Sequence, residues 1–185
     1  MVLEDIFSLF DQFGHSEYGG ESVTQLEHAL QCAQLAQQHG AATALIASAL
    51  LHDVGHLLHE LPDDAPDRGI DDYHENLAAQ YLSKHFGPEV TEPIRLHVAA
   101  KRYLCSTEPE YLEALSEPSR VSLALQGGLM TPEEQAAFVA LPFAHDAVLV
   151  RRWDDTAKVP GLPTPTIRDY AEVLNAFILS EHKPA

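Results

Sequence analysis

Apolar residues recur at helical spacing along most of the chain. Ile6, Leu9, Phe10 and Phe13 share one face of a helix predicted over 3–13. Leu26, Leu30, Ala33 and Leu35 line a second, which should begin after Thr24 and stop near Gly40. Thr24 is followed three residues on by Glu27, the spacing of a capping box. Residues 42–58 are apolar almost all round, which predicts a helix covered on every side. The stretch 61–73 is rich in Pro, Asp and Gly and reads as a surface loop. Further helices are predicted over 74–86 and 89–104, split by Gly87-Pro88, then over 109–115, 118–125, 131–141, 143–154 and 167–180. A proline-rich crossing runs through 159–165. No run alternates in polarity for long enough to predict a strand, and no repeat is present. The pattern predicts one all-α domain spanning 1–185.

Composition removes several function classes. The chain has 28 Asp and Glu against 11 Lys and Arg, a net charge of −17, which argues against a partner as polyanionic as nucleic acid. No apolar run reaches the ~20 residues that span a bilayer, and residues 1–15 carry no signal-peptide pattern. Cys32 and Cys105 have no CxxC spacing and are too few for a disulfide framework. A cytoplasmic protein acting without membrane or nucleic acid is the expectation. Against this background the chain's 11 histidines stand out.

His52-Asp53 ends the most apolar predicted helix, with His56 four residues after His52. A His-Asp pair beside apolar residues either turns toward water or is satisfied by a cation, since burying it bare is costly. His28 lies one helix earlier, His74 and His97 belong to the next two, and Asp154 ends a late one. These six imidazole and carboxylate candidates include no thiolate, which disfavours a sulfur-rich structural zinc site and suits iron, manganese or zinc. An aspartate shared between two ions is one way to hold a pair. His56 belongs beside the site or at the substrate. His15, His39, His59, His85, His145 and His182 fall in loops or on polar faces and read as bystanders.

The order His28, His52-Asp53, Asp154 resembles the metal signature of the HD-domain superfamily, an all-α fold most of whose members are phosphohydrolases. Further blocks make the likeness narrower: Tyr18-Gly-Gly-Glu21, Gln25-Leu-Glu-His28, Tyr73-His-Glu75, His97-Val-Ala-Ala-Lys-Arg-Tyr-Leu104, Ser119-Arg120, Gln126-Gly-Gly128 and Arg151-Arg-Trp-Asp154. With these the chain resembles the mixed-valent diiron oxygenases of that superfamily, which cleave carbon–phosphorus bonds. The likeness is to the enzymes acting on 1-hydroxy-2-aminoethylphosphonate and its N-methylated relative.

The resemblance implies two iron ions, Fe(II)/Fe(III). One would be held by His28, His52, Asp53 and Asp154, the other by Asp53, His74 and His97, with Asp53 bridging. It implies that Tyr18 occupies the second iron until substrate arrives and that Glu21 receives the substrate's cationic nitrogen. It places His56, Lys101, Ser119 and Arg151 around the phosphonate. Lys101 lies one helical turn after His97 and Arg151 one turn before Asp154, so both can reach the ligand side of their helices. The reaction so implied uses O2 and a small phosphonate and yields glycine or glycine betaine plus phosphate. An upstream hydroxylase would supply the 1-hydroxy substrate, and a monomer is expected. Asp71, Asp72 and Tyr73, flanking His74, suggest a site for a methylated nitrogen or, alternatively, a cap for the helix that His74 begins. The competing reading is a metal-dependent HD-domain phosphohydrolase of small phosphate esters or nucleotides, for which Tyr18 and Glu21 have no evident use.

Overall fold

Why the helices begin and end where they do decides where the polar residues meet. The computed structural model describes residues 2–58, 69 and 72–179. Helix α1 (Val2–Phe13) buries Ile6, Phe7 and Phe10. Helix α2 (Gln25–Gln38) opens on the predicted capping box, with Thr24 and Glu27 each bonded to the other's backbone N–H. Helix α3 (Thr43–Leu51) is buried at every position from Leu45 to Leu51, as its all-round apolarity requires.

The expected single helix over 42–58 does not form. Helix α3 stops at Leu51, His52 and Asp53 turn, and a 3₁₀ turn follows over Val54–Leu57. Helix α4 (His74–Leu82) then packs against that turn. Gly55 explains how closely: a Cβ there would lie 2.0 Å from the His74 carbonyl oxygen. The loop predicted over 61–73 lies mainly outside the described residues.

The long helix α5 (Pro88–Thr107) runs beside α9 (Ala144–Thr156) through the middle of the molecule. Between them in sequence lie α6 (Pro109–Ala114), α7 (Glu117–Leu125) and α8 (Pro132–Val139). The last predicted helix, 167–180, is a 3₁₀ turn over Ile167–Tyr170 and a short α10 (Ala171–Asn175). The chain leaves helical geometry there to bridge Ile178 to Phe86 and to donate the Leu179 N–H to the His85 carbonyl. Ser180 lies beyond the described residues.

No sheet is present among the described residues, and no helix is long and apolar enough to cross a membrane. The main core draws on α1 to α5, α9 and α10, from Ile6 to Leu174. A smaller cluster joins Leu96 and Ala100 of α5 to Met130, Phe138, Ala144 and Ala147. A third holds Cys105, Leu115 and Leu123 together.

Candidate metal centre

The break after α3 brings His52 and Asp53 to one point. On an unbroken helix they would diverge by ~100°, but Asp53 has φ −102° and ψ 12° and folds back toward its neighbour. Its Oδ2 lies 3.2 Å from His52 Nε2 and 3.5 Å from His28 Nε2. Its Oδ1 faces the other way, 3.5 Å from His74 Nε2 and 3.4 Å from His97 Nε2. Asp154 completes the first set, its Oδ1 lying 3.5 Å from His28 Nε2. The predicted six residues therefore converge, from five elements, as two sets sharing one carboxylate.

Tautomers follow from the outer ring nitrogens. His28, His52 and His97 direct Nδ1 at the carbonyls of Ala157, Ala49 and Ile94, at 2.9, 2.9 and 2.7 Å. A carbonyl can only accept, so each Nδ1 carries a proton and Nε2 is the nitrogen that faces the cluster. His74 Nδ1 is held at 2.8 Å by Asp72 Oδ1 in the same sense. Yet His28 and His52 Nε2 stand 3.2 Å apart, and His74 and His97 Nε2 3.1 Å apart. Two ring nitrogens at that distance need a proton or a cation between them, and Asp53 Oδ1 is buried with no hydrogen-bond partner among the described residues. A cation in each set removes both problems. Outer partners of this kind are what orients metal-binding imidazoles, and the cluster fits a metal site.

The electrostatics agree. Burial pushes the His97 imidazole down to about 3, which keeps it neutral. His74 behaves oppositely: burial alone would lower it, but Asp72 and Asp53 raise it to about 9, making Nε2 strongly basic. His56 donates to, or shares a proton with, Asp72 Oδ2 at 2.8 Å, and its ring stacks on His74 with centroids 4.0 Å apart. Asp72 thus braces two histidines and also reaches the His74 N–H. Of the residues suggested for a methylated nitrogen, Tyr73 is 60 % exposed and Asp71 lies outside the described residues. Cys32 Sγ lies 3.7 Å from His28 Nε2. Burial, reinforced by Asp154 and Asp53, holds its thiol well above its ordinary value, so it packs there as a neutral group.

A cavity of about 90 Å³ opens beside the cluster. Tyr18, Glu21, His56, Lys101, Ser119 and Arg151 all line it. Tyr18 and Glu21 come from the loop before α2, where Gly19 and Gly20 both have positive φ, 48° and 81°. That pair permits a mirror-image hairpin turn, closed by the Glu21 N–H on the Tyr18 carbonyl. The Tyr18 ring stacks on His28 at 3.8 Å, and its hydroxyl meets Asp154 Oδ1 at 3.1 Å, beside the first metal set. Lys101 is 2 % exposed and donates to Ser122 Oγ at 2.8 Å. Burial, then the Arg151 charge, lowers it from 10.5 to about 7.

Arg151 is more engaged than its sequence position suggests. It reaches Asp154 Oδ2 at 2.6 Å, and its other nitrogens reach Asp155 and Tyr111. Its charge faces the cavity while every nitrogen already has a protein partner.

Two cavity residues escaped the sequence reading. Ser122 follows Ser119 by one turn of α7. Lys158 stands one turn beyond Asp154, just past the end of α9, and its Nζ lies 2.7 Å from Glu21 Oε1. That spacing, in a chain with 11 Lys and Arg, was the available signal. Among the bystanders, His15 and His145 are exposed and His85 is half-buried. His39 is different: its Nδ1 accepts the Trp153 indole N–H at 2.9 Å. His59 and His182 lie outside the described residues.

Comparison with known proteins follows the same lines. Residues 26–156 match the HD domain family. The chain is 52 % identical to a hydroxymethylphosphonate dioxygenase of Gimesia maris, over 89 % of this chain and 82 % of that protein. It is 42 % identical to a [1-hydroxy-2-(trimethylamino)ethyl]phosphonate dioxygenase (glycine-betaine-forming) of Leisingera caerulea, over 96 % and 90 % of the two chains. An uncharacterised protein of Acanthamoeba polyphaga mimivirus is 41 % identical over 95 % and 81 %. With the family's model matched over residues 26–156, most of the chain's length, this chain belongs to the HD domain family.

Proposed function

We propose that the protein is a diiron dioxygenase that cleaves the carbon–phosphorus bond of a 1-hydroxyphosphonate. The observation that carries this reading is the cavity itself. It joins Asp53, facing two sets of imidazoles, to three of the chain's scarce cations, Lys101, Arg151 and Lys158. The relatives named as phosphonate dioxygenases support it. His28, His52, Asp53 and Asp154 would hold one iron, and Asp53, His74 and His97 the other, with one carboxylate oxygen of Asp53 toward each. A mixed-valent Fe(II)/Fe(III) pair supplies the one-electron chemistry with O2 that side chains cannot provide.

For a substrate R–CH(OH)–PO3²⁻ the overall change is R–CH(OH)–PO3²⁻ + O2 → R–COO⁻ + HPO4²⁻ + H⁺. One oxygen atom enters the carboxylate and one the phosphate. The four electrons that reduce O2 come from the broken C–H and C–P bonds. The chain's residues bind and orient. Lys101 and Ser119, with the Arg151 charge behind them, attract the phosphonate oxygens. Tyr18 and His56 flank the carbon end, and Tyr18 yields to substrate. Arg151 holds Asp154 in its ligating orientation through the 2.6 Å bond. Hydrolysis is poorly suited to this bond, because an unactivated carbon is a bad leaving group. The main core reaches outside the family match to Ile6 and Leu174, which supports 1–185 acting as one domain. The substrate's hydroxyl requires a preceding hydroxylation.

The test is oxygen dependence. Iron-loaded protein is incubated anaerobically with hydroxymethylphosphonate and with its 1-hydroxy-2-aminoethyl counterpart, and phosphate is followed. Release should begin only when O2 is admitted, with a carboxylate formed in equal amount. Phosphate appearing without O2 would instead place the chain with the phosphohydrolases of its family.

A further inference from the structure

We propose that Lys158 sets substrate choice: its ammonium fills the part of the cavity that would bind a cationic nitrogen, and so selects a 1-hydroxyphosphonate without an amino group. This rests on the phosphonate reading above. A cationic substituent needs a carboxylate, an aromatic face, or both. Among the described residues four carboxylates line the cavity: Glu21, Asp53, Asp72 and Asp154. Asp154 is bound by Arg151, Asp72 by His56 and His74, and Asp53 lies among the four ligand imidazoles. Glu21 remains, and Lys158 takes it at 2.7 Å.

The lysine is firmly held. An ammonium has three N–H donors, and three acceptors surround this one: Glu21 Oε1, Ser116 Oγ at 3.2 Å and Ser119 Oγ at 3.3 Å. The same Nζ sits 6.0 Å from the centroid of the Tyr18 ring. That face is what a trimethylammonium group, unable to donate hydrogen bonds, would otherwise use. One side chain therefore occupies both halves of an ammonium site.

Apart from Asp53 Oδ1, which faces the imidazoles, and the neutral Gln126 Oε1, the charge left without a counter-charge among the described lining residues is positive. Lys101 is bonded to the neutral Ser122 hydroxyl and to no carboxylate among the described residues. This is the charge pattern for a phosphonate dianion bearing no cation of its own. Hydroxymethylphosphonate is the smallest such compound, and its products by the balance above, with R as hydrogen, are formate and phosphate. An amino-substituted substrate would bring a second cation against Lys158.

The experiment compares two substrates and two inert probes on iron-loaded wild type, Lys158→Ala and Lys158→Met. Turnover is measured on hydroxymethylphosphonate and (1-hydroxy-2-aminoethyl)phosphonate. Calorimetric binding is measured with methylphosphonate and 2-aminoethylphosphonate, which lack the 1-hydroxyl. Wild type should favour the compounds without nitrogen by about 100-fold in kcat/KM, the scale on which like charges discriminate. Either variant should shift the ratio by about tenfold or more toward the amines, even if phosphonate binding weakens overall with the lost charge. Lys158→Met retains the packing of the stem should the alanine variant fold poorly. Equal use of both substrates by wild type, or an unchanged ratio in both variants, would overturn the role of Lys158. Failure of any phosphonate to bind or turn over would instead overturn the dioxygenase reading, and this inference with it.

Discussion

Asp53 is the residue on which the centre turns, because each of its oxygens faces a different pair of imidazoles. Its neighbouring imidazoles are oriented by what lies behind them: carbonyls behind His28, His52 and His97, a carboxylate behind His74. Lys101 shows the same logic applied to substrate. Its value falls to about 7 from 10.5 because it is buried next to Arg151. Between those two pH values the unfolded chain holds more protons on this residue than the folded one. Stability from this group therefore rises as pH increases from about 7 to 10.5, and charged Lys101 is a cost below 7. Anion binding has the opposite sign, since the ammonium is present below about 7 and lost above it. Methylphosphonate affinity, corrected for the ligand's own titration, should weaken as pH rises through that region. Lys101→Met should bind about tenfold more weakly at low pH and lose that limb of the profile, as a calorimetric pH series would show.

At the scale of elements, the turn after α3 and the start of α4 act as a unit. The predicted helix over 42–58 would have carried His52 and Asp53 in different directions, and its break is what lets them meet. Gly55 then allows α4 to approach closely enough for His74 to reach Asp53. Gly55→Ala should force α4 outward and cost about 1–3 kcal/mol, as overpacking does. If the proposed diiron centre forms, its diagnostic effect should be selective: bound iron falling from two toward one per chain, with loss of any mixed-valent electron-spin signal. Thermal melts and metal analysis would check both. Retention of two tightly bound irons would show that the close approach does not position His74.

For the molecule as a whole, the cluster lies where α2, α3, α4, α5 and α9 meet, so ions bound there would stabilise the entire bundle. Without them Asp53 Oδ1 is unsatisfied and the ring nitrogens face one another in pairs. An ion present at 100 times its dissociation constant contributes about 2.7 kcal/mol. Chelation should therefore lower Tm by about 5–10 °C for a chain of this size, and iron should restore it. A melt unchanged by chelator would show that the cluster folds equally well without cations.

Much of this was legible in the chain before folding. Periodicity gave the helical class, because amphipathic faces are set by local residue order, and the Thr24–Glu27 cap is a local bond that spacing alone specifies. The six imidazole and carboxylate residues that meet around Asp53 also stood out, since bare imidazoles and carboxylates among apolar residues need a partner wherever the chain puts them. Tertiary structure decided what depends on residues far apart in sequence. The break after Leu51 sits beside a close approach of the His74 carbonyl to Gly55 that no local pattern encodes. Arg151 is held by Asp154 and Asp155 of its own helix, but Tyr111 reaches it only because α6 lies near α9. Glu21 reads as a receiver of ammonium and remains one, but the ammonium belongs to Lys158, 137 residues further along the chain. Local order determined the elements and the ligand chemistry. The pairing of charges across the fold, set by packing, decided which groups are left for a substrate.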